Sequence, residues 1–296
     1  RLAIEEDCLV NYGFLPREHV ALMHPRQAKR VWDADTQHKA ADVLAYVQAH
    51  GPVNPGRVEQ HFAHGNVTNY WGGSSSATTH LLDGMHYRGM LRVVRRDSGT
   101  RVYEAVAHPP TDDSPASRAQ RAAALVALVV HKYAPLPAAS LTYLVRLLGY
   151  GAPHLAPQIQ TALRLAKQEL ASCQINGTTW YWPADENPAS RRHTPDGAVR
   201  LLAPFDPVVW DRRRFTLLWD WTYKFEAYTP APQRKLGYYA LPLLWHDRVI
   251  GWANVTAPQG HMVVNFGYAD KAPQGADFRA ALDDELQRMA YFLAAH

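Results

Sequence analysis

The stretch Cys173-Gln174-Ile175-Asn176-Gly177-Thr178-Thr179-Trp180-Tyr181-Trp182 decides how the fold is read. Two runs of β-forming residues flank an Asn-Gly pair, and Asn-Gly accepts the two left-handed conformations that a tight hairpin turn requires. The stretch therefore predicts a β-hairpin. Three helical segments precede it. Arg118 to Tyr133 is rich in Ala, Leu and Val. Pro137 opens a second helix through Leu148. Pro157 opens a third, Gln158 to Ala171, with Ile159, Leu163, Leu165 and Leu170 as an imperfect apolar face.

The same succession occurs once before. Ala40, Val43, Leu44 and Val47 are spaced helically between Gln37 and His50, and Gly51 stops that helix. Asn54-Pro55 predicts an N-cap and first turn for a short helix through Phe62. A Gly/Ser-rich loop, Gly72 to Ser76, leads to a helix from Ala77 to Tyr87 with Leu81, Leu82 and Met85 on one face. Leu91 to Arg96 and Arg101 to Val106 then flank the turn Asp97-Ser98-Gly99 as another hairpin. Helix-helix-helix-hairpin is the winged-helix order. The expected class is α+β, with tandem winged-helix units over 36–110 and 117–184 and residues 1–35 as an N-terminal remnant. Residues 198–296 predict a C-terminal α+β portion. It holds a helix from Asp211 to Tyr223, an antiparallel meander (Tyr238 to Trp245, Arg248 to Val255, Met262 to Tyr268) and an amphipathic helix from Asp277 to Ala295 striped by Phe278, Leu282, Leu286, Met289 and Leu293.

Composition narrows the function. Among 296 residues, 31 Lys and Arg stand against 27 Asp and Glu, a net charge of +4 that permits a nucleic-acid partner without requiring one. Two cysteines, Cys8 and Cys173, exclude a disulfide framework and a Cys-rich zinc site, and fit a reducing, cytoplasmic setting. The longest apolar run, Ala122 to Val130, is about half the roughly 18 residues of a membrane helix, so no membrane partner is expected. The chain opens on Arg-Leu-Ala-Ile-Glu-Glu-Asp, acidic where a secretory leader is basic. Its first residue is Arg rather than Met, which predicts a preceding segment.

Arg92, Arg95, Arg96 and Arg101 fall on one predicted wing. A guanidinium keeps its charge and grips phosphate bidentately, so four of them suit a DNA backbone; the alternative is a solvated basic edge. Arg164 and Lys167 on the predicted helix 158–171 are further candidates for DNA contact, the alternative being a polar helix face. His61 and His64 share a spacing but lack a third ligand, so no metal and no cofactor are expected. Asp112-Asp113 and Asp283-Asp284-Glu285 read as solvated charge, the latter on the exposed face of the final helix. No phosphate-binding glycine loop, nucleophile elbow or Cys/His dyad is present.

Three further strings carry a resemblance: Leu201-Leu202-Ala203-Pro204-Phe205-Asp206-Pro207-Val208-Val209-Trp210-Asp211-Arg212, then Glu226-Ala227-Tyr228-Thr229-Pro230-Ala231-Pro232-Gln233-Arg234, then Gly237-Tyr238-Tyr239-Ala240-Leu241-Pro242-Leu243-Leu244. Together they resemble the signature of the YcaQ/AlkZ family, bacterial DNA glycosylases that excise alkylated bases and unhook interstrand crosslinks. Phe14-Leu15-Pro16-Arg17 and Tyr70-Trp71 extend the likeness. The resemblance implies tandem winged helices around a DNA-binding concavity, duplex DNA, alkylated or crosslinked, as partner, and a nucleoid-associated, cytoplasmic place. It adds Arg212 and Arg234 to the DNA-contacting candidates. The family's catalytic motif, Gln-apolar-Gln or Gln-apolar-Asp, is expected upstream of the aligned segment. Gln158-Ile159-Gln160 copies the pattern in a different unit, as a coincidence on a helix. Val10-Asn11 stands where the family has His-Glu, and Ala253 to Gln259 is uncharged where the family carries basic residues and an Asp. Asp206 and Asp211 are the remaining catalytic candidates, although Asp206 precedes a proline and Asp211 stands where an N-cap belongs. Trp210, Phe205 and Tyr228 are expected in the core. Whether the chain excises bases or only binds DNA stays open at this level, a protein-interaction scaffold being the other alternative.

Overall fold

A computed structural model describes residues 3–68, 72–108 and 112–294. Tyr70 and Trp71 lie outside the described residues. The chain gathers into two compact units, residues 1–131 with 141–172 and residues 132–140 with 173–296.

Residues anticipated as a remnant form a hairpin, β1 (Ile4–Cys8) and β2 (Tyr12–Pro16), followed by α1 (Arg17–Ala21). Then come α2 (Ala34–His50), α3 (Pro55–Phe62), the short pair β3 (Asn66–Thr68) and β4 (Ser74–Ser76), α4 (Ala77–Tyr87), and the hairpin β5 (Leu91–Asp97) and β6 (Thr100–Ala105). The Gly/Ser-rich segment is therefore partly a strand, paired too briefly for any alternation to show. Local chemistry explains the helix starts. Asp33 accepts from the Thr36 amide at 2.8 Å, and Asn54 accepts from the Arg57 amide at 2.9 Å with Pro55 behind it. Val43, Val47, Val58, Leu82, Met85, Leu91 and Tyr103 close one core among these elements.

The second succession is α5 (Pro115–Tyr133), β7 (Leu136–Pro137), α6 (Ala138–Gly151), α7 (Ala156–Glu169), and the strands β8 (Ala171–Ile175) and β9 (Thr178–Trp182). Leu125, Val129, Leu144, Val145, Leu148 and Ile159 are at most 2% exposed. Pro137 does not open α6. It ends β7, which pairs with β9 in a sheet of order β7-β9-β8. Asn176 and Gly177 both take positive φ, 49° and 74°, as the hairpin turn demands.

The second unit continues with β10 (Val199–Leu201), α8 (Pro207–Trp210), α9 (Arg212–Trp219), β11 (Ala240–Trp245), β12 (Arg248–Thr256), β13 (Val263–Tyr268) and α10 (Ala276–Ala294). The meander is present, and β10 adds a fourth antiparallel strand. Three residues are too few to display an alternation in sequence. The helix predicted through Tyr223 stops at Trp219, because Asp220 turns left-handed at φ 56°. Trp221 and Tyr223 then fold back with Phe215 onto Val249 and Ala240. The acids of α10 divide: Asp283 and Asp284 are exposed, but Glu285 is buried and accepts from the Leu201 amide at 2.7 Å and from Arg288. An edge amide with no strand partner draws that carboxylate inward, which corrects the expectation of a solvated face.

In the first unit, Arg121 donates to the His154 ring at 2.7 Å and Arg118 to the His154 carbonyl. Burial, reinforced by the Arg121 and Arg118 charges, lowers the His154 pKa to about 4. The unfolded chain takes up that proton near the ordinary histidine value of about 6.5. Between about 6.5 and 4 the unfolded state holds more protons, so stability falls as pH falls through that window. Thermal melts followed by circular dichroism should show this decline, and His154→Gln, which still accepts from Arg121, should flatten it. An unchanged slope in the variant would refute the assignment.

Candidate nucleic-acid interface

The β5–β6 hairpin carries Arg92, Arg95, Arg96 and Arg101. Arg96 and Arg101 are cross-strand partners, and like charges opposed on a ladder repel. Glu6 of β1 resolves the conflict. Its carboxylate accepts from Arg96 at 2.9 and 2.7 Å and lies 3.8 Å from Arg101. Tyr12 donates its hydroxyl to the same carboxylate at 3.0 Å, and Arg101 lies over the Tyr12 ring. Burial pushes the Glu6 carboxyl up, but the hydrogen bonds from Arg96 and Tyr12 prevail and hold it below its ordinary value. Arg101 also donates to Asp83 of α4 at 2.6 Å. Arg92 is gripped by Glu104 at 2.7 Å and meets Glu5 at 3.4 Å. Arg95 differs, since its partner among the described residues is exposed Asp97 at the tip of the hairpin. All four arginines thus pair with carboxylates of the chain itself, and that of Arg95 is the exposed one.

On α7, Arg164 is exposed together with Gln160, Thr161 and Gln168. Lys167 is half-buried and donates to Thr142 at 3.2 Å. Gln158 sits half-buried beside buried Ile159, so Gln158-Ile159-Gln160 crosses from the core side of the helix to its surface.

The first unit also contains a groove of about 990 Å³, enclosed by residues 28–33, α2, β3, α4 and the end of α6. Trp32 lies close on α4 because position 84 is glycine: a Cβ there would stand 2.9 Å from the Trp32 ring. Arg88 covers that ring at 3.7 Å and donates to the Arg30 carbonyl at 2.8 Å. Lys29 and Arg30 are exposed on the groove's edge, and neither makes an ion pair among the described residues. His64 and His80 line the groove as well.

In the second unit the string 201–240 builds a different kind of surface. Asp206 caps α8 by accepting from the Val208 amide at 2.8 Å. Asp211 is 4% exposed and caps α9 by accepting from the amides of Arg213 and Arg214 at 3.1 and 3.3 Å. Both catalytic candidates are engaged as caps. Arg212 turns inward, donating to the carbonyls of Val209 and Pro204 with its guanidinium 4.4 Å over the Tyr223 ring. Buried Arg214 donates to the carbonyls of Tyr133 and Pro207. Arg213 between them is exposed. Glu226, 2% exposed, accepts from the amides of Lys235 and Leu236 at 2.8 and 2.7 Å and so closes the loop between them. Burial raises its pKa, but those amides outweigh burial and keep it ionised. Arg234 donates to the Thr229 carbonyl and stacks on Tyr238. Tyr228 and Phe205, expected in the core, are 92% and 46% exposed. Glu226 fixes the loop 226–236 from within, so Tyr228 on it need not be buried. Phe205, Phe225, Tyr228 and Tyr239 form a chain of ring contacts around Phe225 at 5.2 to 6.2 Å. Trp210 is half-buried against Phe205.

A family model described as DNA glycosylase AlkZ-like matches residues 2–292. The chain belongs to the AlkZ-like DNA glycosylase family. Among solved structures, the DNA glycosylase AlkZ of Streptomyces sahachiroi has a similar fold, with a TM-score of 0.56 and 12% identity over 99% of this chain and 79% of that one. Within the strings 201–212 and 226–234, Asp206, Asp211, Arg212 and Glu226 are all engaged with backbone.

Lys29, Arg30, Glu6 and Glu226 escaped the sequence analysis. The run Glu5-Glu6-Asp7 facing an arginine-rich hairpin was the one available signal. The pairing makes the hairpin arginines separable. Arg96→Ala leaves the buried Glu6 carboxylate without its main donor and should cost about 1–3 kcal/mol. Arg95→Ala should stay within about 0.5 kcal/mol of the parent. Urea unfolding of the two variants checks this, and equal stabilities would overturn it.

Proposed function

We propose that this protein binds duplex DNA and excises alkylated bases, crosslinked ones included, by hydrolysing the N-glycosidic bond. The observation that carries the reading is the family match across nearly the whole chain. The two helix-helix-helix-hairpin successions are then tandem winged helices over 36–110 and 117–184, with 198–296 as the C-terminal portion. In such units the third helix enters the major groove and the wing follows the backbone. Here those are α4 with β5–β6 and α7 with β8–β9.

Lys29 and Arg30 on the groove, Arg95 at the wing tip, Arg164 on α7 and Arg213 beside the aromatic surface are the cations best placed for phosphate. Arg92, Arg96, Arg101, Arg212 and Arg234 support binding by shaping these surfaces, and Lys167 by fastening α7. Tyr228 and Phe205 offer faces on which a displaced base can stack. An N7-alkylated purine is a cationic leaving group, so excision needs chiefly a positioned water and stabilisation of the charge developing on the sugar. A second reading, DNA binding without excision, is favoured by Asp206 and Asp211 both being engaged as caps.

Binding to a fluorescent duplex should weaken as salt rises. Lys29→Ala/Arg30→Ala should reduce the slope of log K against log salt by about 1.8, at about 0.9 per lost phosphate contact. An unchanged slope would remove the groove from the interface. Release of N7-methylguanine from methylated duplex over many turnovers supports excision, whereas binding without release supports the second reading.

A further inference from the structure

His64 lines the groove of the first unit and is held from behind. Its Nδ1 lies 3.0 Å from the hydroxyl of Thr78, and Thr78 is 0% exposed. The Thr78 hydroxyl donates in turn to Glu59 Oε2. Glu59 also accepts from the Gly65 amide at 3.3 Å and the Ser76 hydroxyl at 3.5 Å. A hydroxyl has one proton to give. Thr78 gives it to the carboxylate, whose pKa that bond lowers. Nδ1 of His64 must therefore be the donor to Thr78, and a neutral imidazole protonated at Nδ1 carries its lone pair on Nε2. Phe62 stacks on the ring at 5.3 Å and 11°, fixing its plane. Among the described residues no bond engages Nε2, and the groove is the open space beside this ring. The chain reverses there through left-handed Ala63 and Gly65, at φ 50° and 76°. Ala63 accepts a conformation costly for a residue with a Cβ.

We propose that His64 is the proton acceptor of this groove, presenting an unprotonated Nε2 to a water molecule at the sugar of a bound nucleotide. The inference rests on the base-excision reading and names a group that could perform it. The water oxygen bonds to C1′ as the C1′–N9 bond breaks. The bonding electron pair leaves with the alkylated purine, whose cationic ring becomes neutral, and the water proton passes to Nε2. Glu59 and Thr78 are positioning residues, acting only through the tautomer they impose. The cations Lys29 and Arg30 on the same groove would hold the flanking phosphates.

The test uses two duplexes, one with a tetrahydrofuran abasic site and one with a pyrrolidine abasic site. The pyrrolidine ammonium places a positive N–H donor where charge develops on the sugar. The protein should bind the pyrrolidine duplex about tenfold more tightly, the scale of one charge-assisted hydrogen bond. His64→Asn keeps a donor for Thr78 but has no counterpart of Nε2. It should lose the preference while retaining tetrahydrofuran affinity and melting temperature. Thr78→Val should lose the preference as well, and Thr78→Ser should keep it. A mere tether between the loop and α4 would leave the ratio unchanged in His64→Asn, and that result overturns the proposal. Equal binding of both duplexes by the parent protein also overturns it while leaving DNA binding intact. Binding of neither duplex overturns the function reading and the proposal together.

Discussion

The first unit depends on one buried guanidinium. Arg26 is 4% exposed and reaches three separate parts of the chain. It donates to Asp7 of β1 at 2.9 Å, to the carbonyl of Tyr87 at the end of α4 at 2.6 Å, and to the carbonyl of Gly151 at the end of α6. Asp7 also meets His24 at 2.6 Å. Burial raises the Asp7 pKa, but the His24 hydrogen bond and the Arg26 charge overcome this and lower it to about 2. A buried pair of this kind need not stabilise the fold against an apolar replacement, but losing either partner strands a charge in the interior. Its geometric effect is plainer: helix ends far apart in sequence are held against the amino-terminal hairpin. Gly151 completes the joint, since a Cβ there would stand 2.4 Å from the Cys8 carbonyl oxygen.

The same economy recurs in the second unit. The signature string places two caps five residues apart, Asp206 and Asp211, so that two short helices follow one another with a bend between them. The intervening carbonyls of Val209 and Pro207 are then taken by Arg212 and Arg214. Asn254 of β12 donates to the Leu236 carbonyl at 2.7 Å and lies where a Cβ on Gly237 would be, at φ 114°. Asn254, in the uncharged stretch 253–259, thus receives the end of the loop that Glu226 closes.

Much of this was legible. The Asn54-Pro55 start, the Asn176-Gly177 turn and the order of the two successions follow from rules that act within a few residues. What escaped depended on distant partners. Glu285 looked solvated because its partner, the Leu201 amide, lies 84 residues away in the chain. The hairpin arginines look free in sequence because Glu5 and Glu6 are some ninety residues distant from Arg92 and Arg96. The spacing of His61 and His64 lacks a third ligand for a metal and says nothing of Thr78 behind the second ring. Hydrophobicity alone puts Tyr228 inside, because it takes no account of a loop that the Glu226 carboxylate and the Arg234 guanidinium hold shut.

That loop separates two duties which most surface segments combine. The groups that keep residues 226–236 in shape are the Glu226 carboxylate on two amides and the Arg234 guanidinium on the Thr229 carbonyl, while the Tyr228 ring stands 92% exposed. Position 228 can therefore change identity at little cost to the fold. Relatives built on this frame can acquire different contact chemistries by substitution at a single tip, and a library at that one site would sample recognition without sampling unfolding.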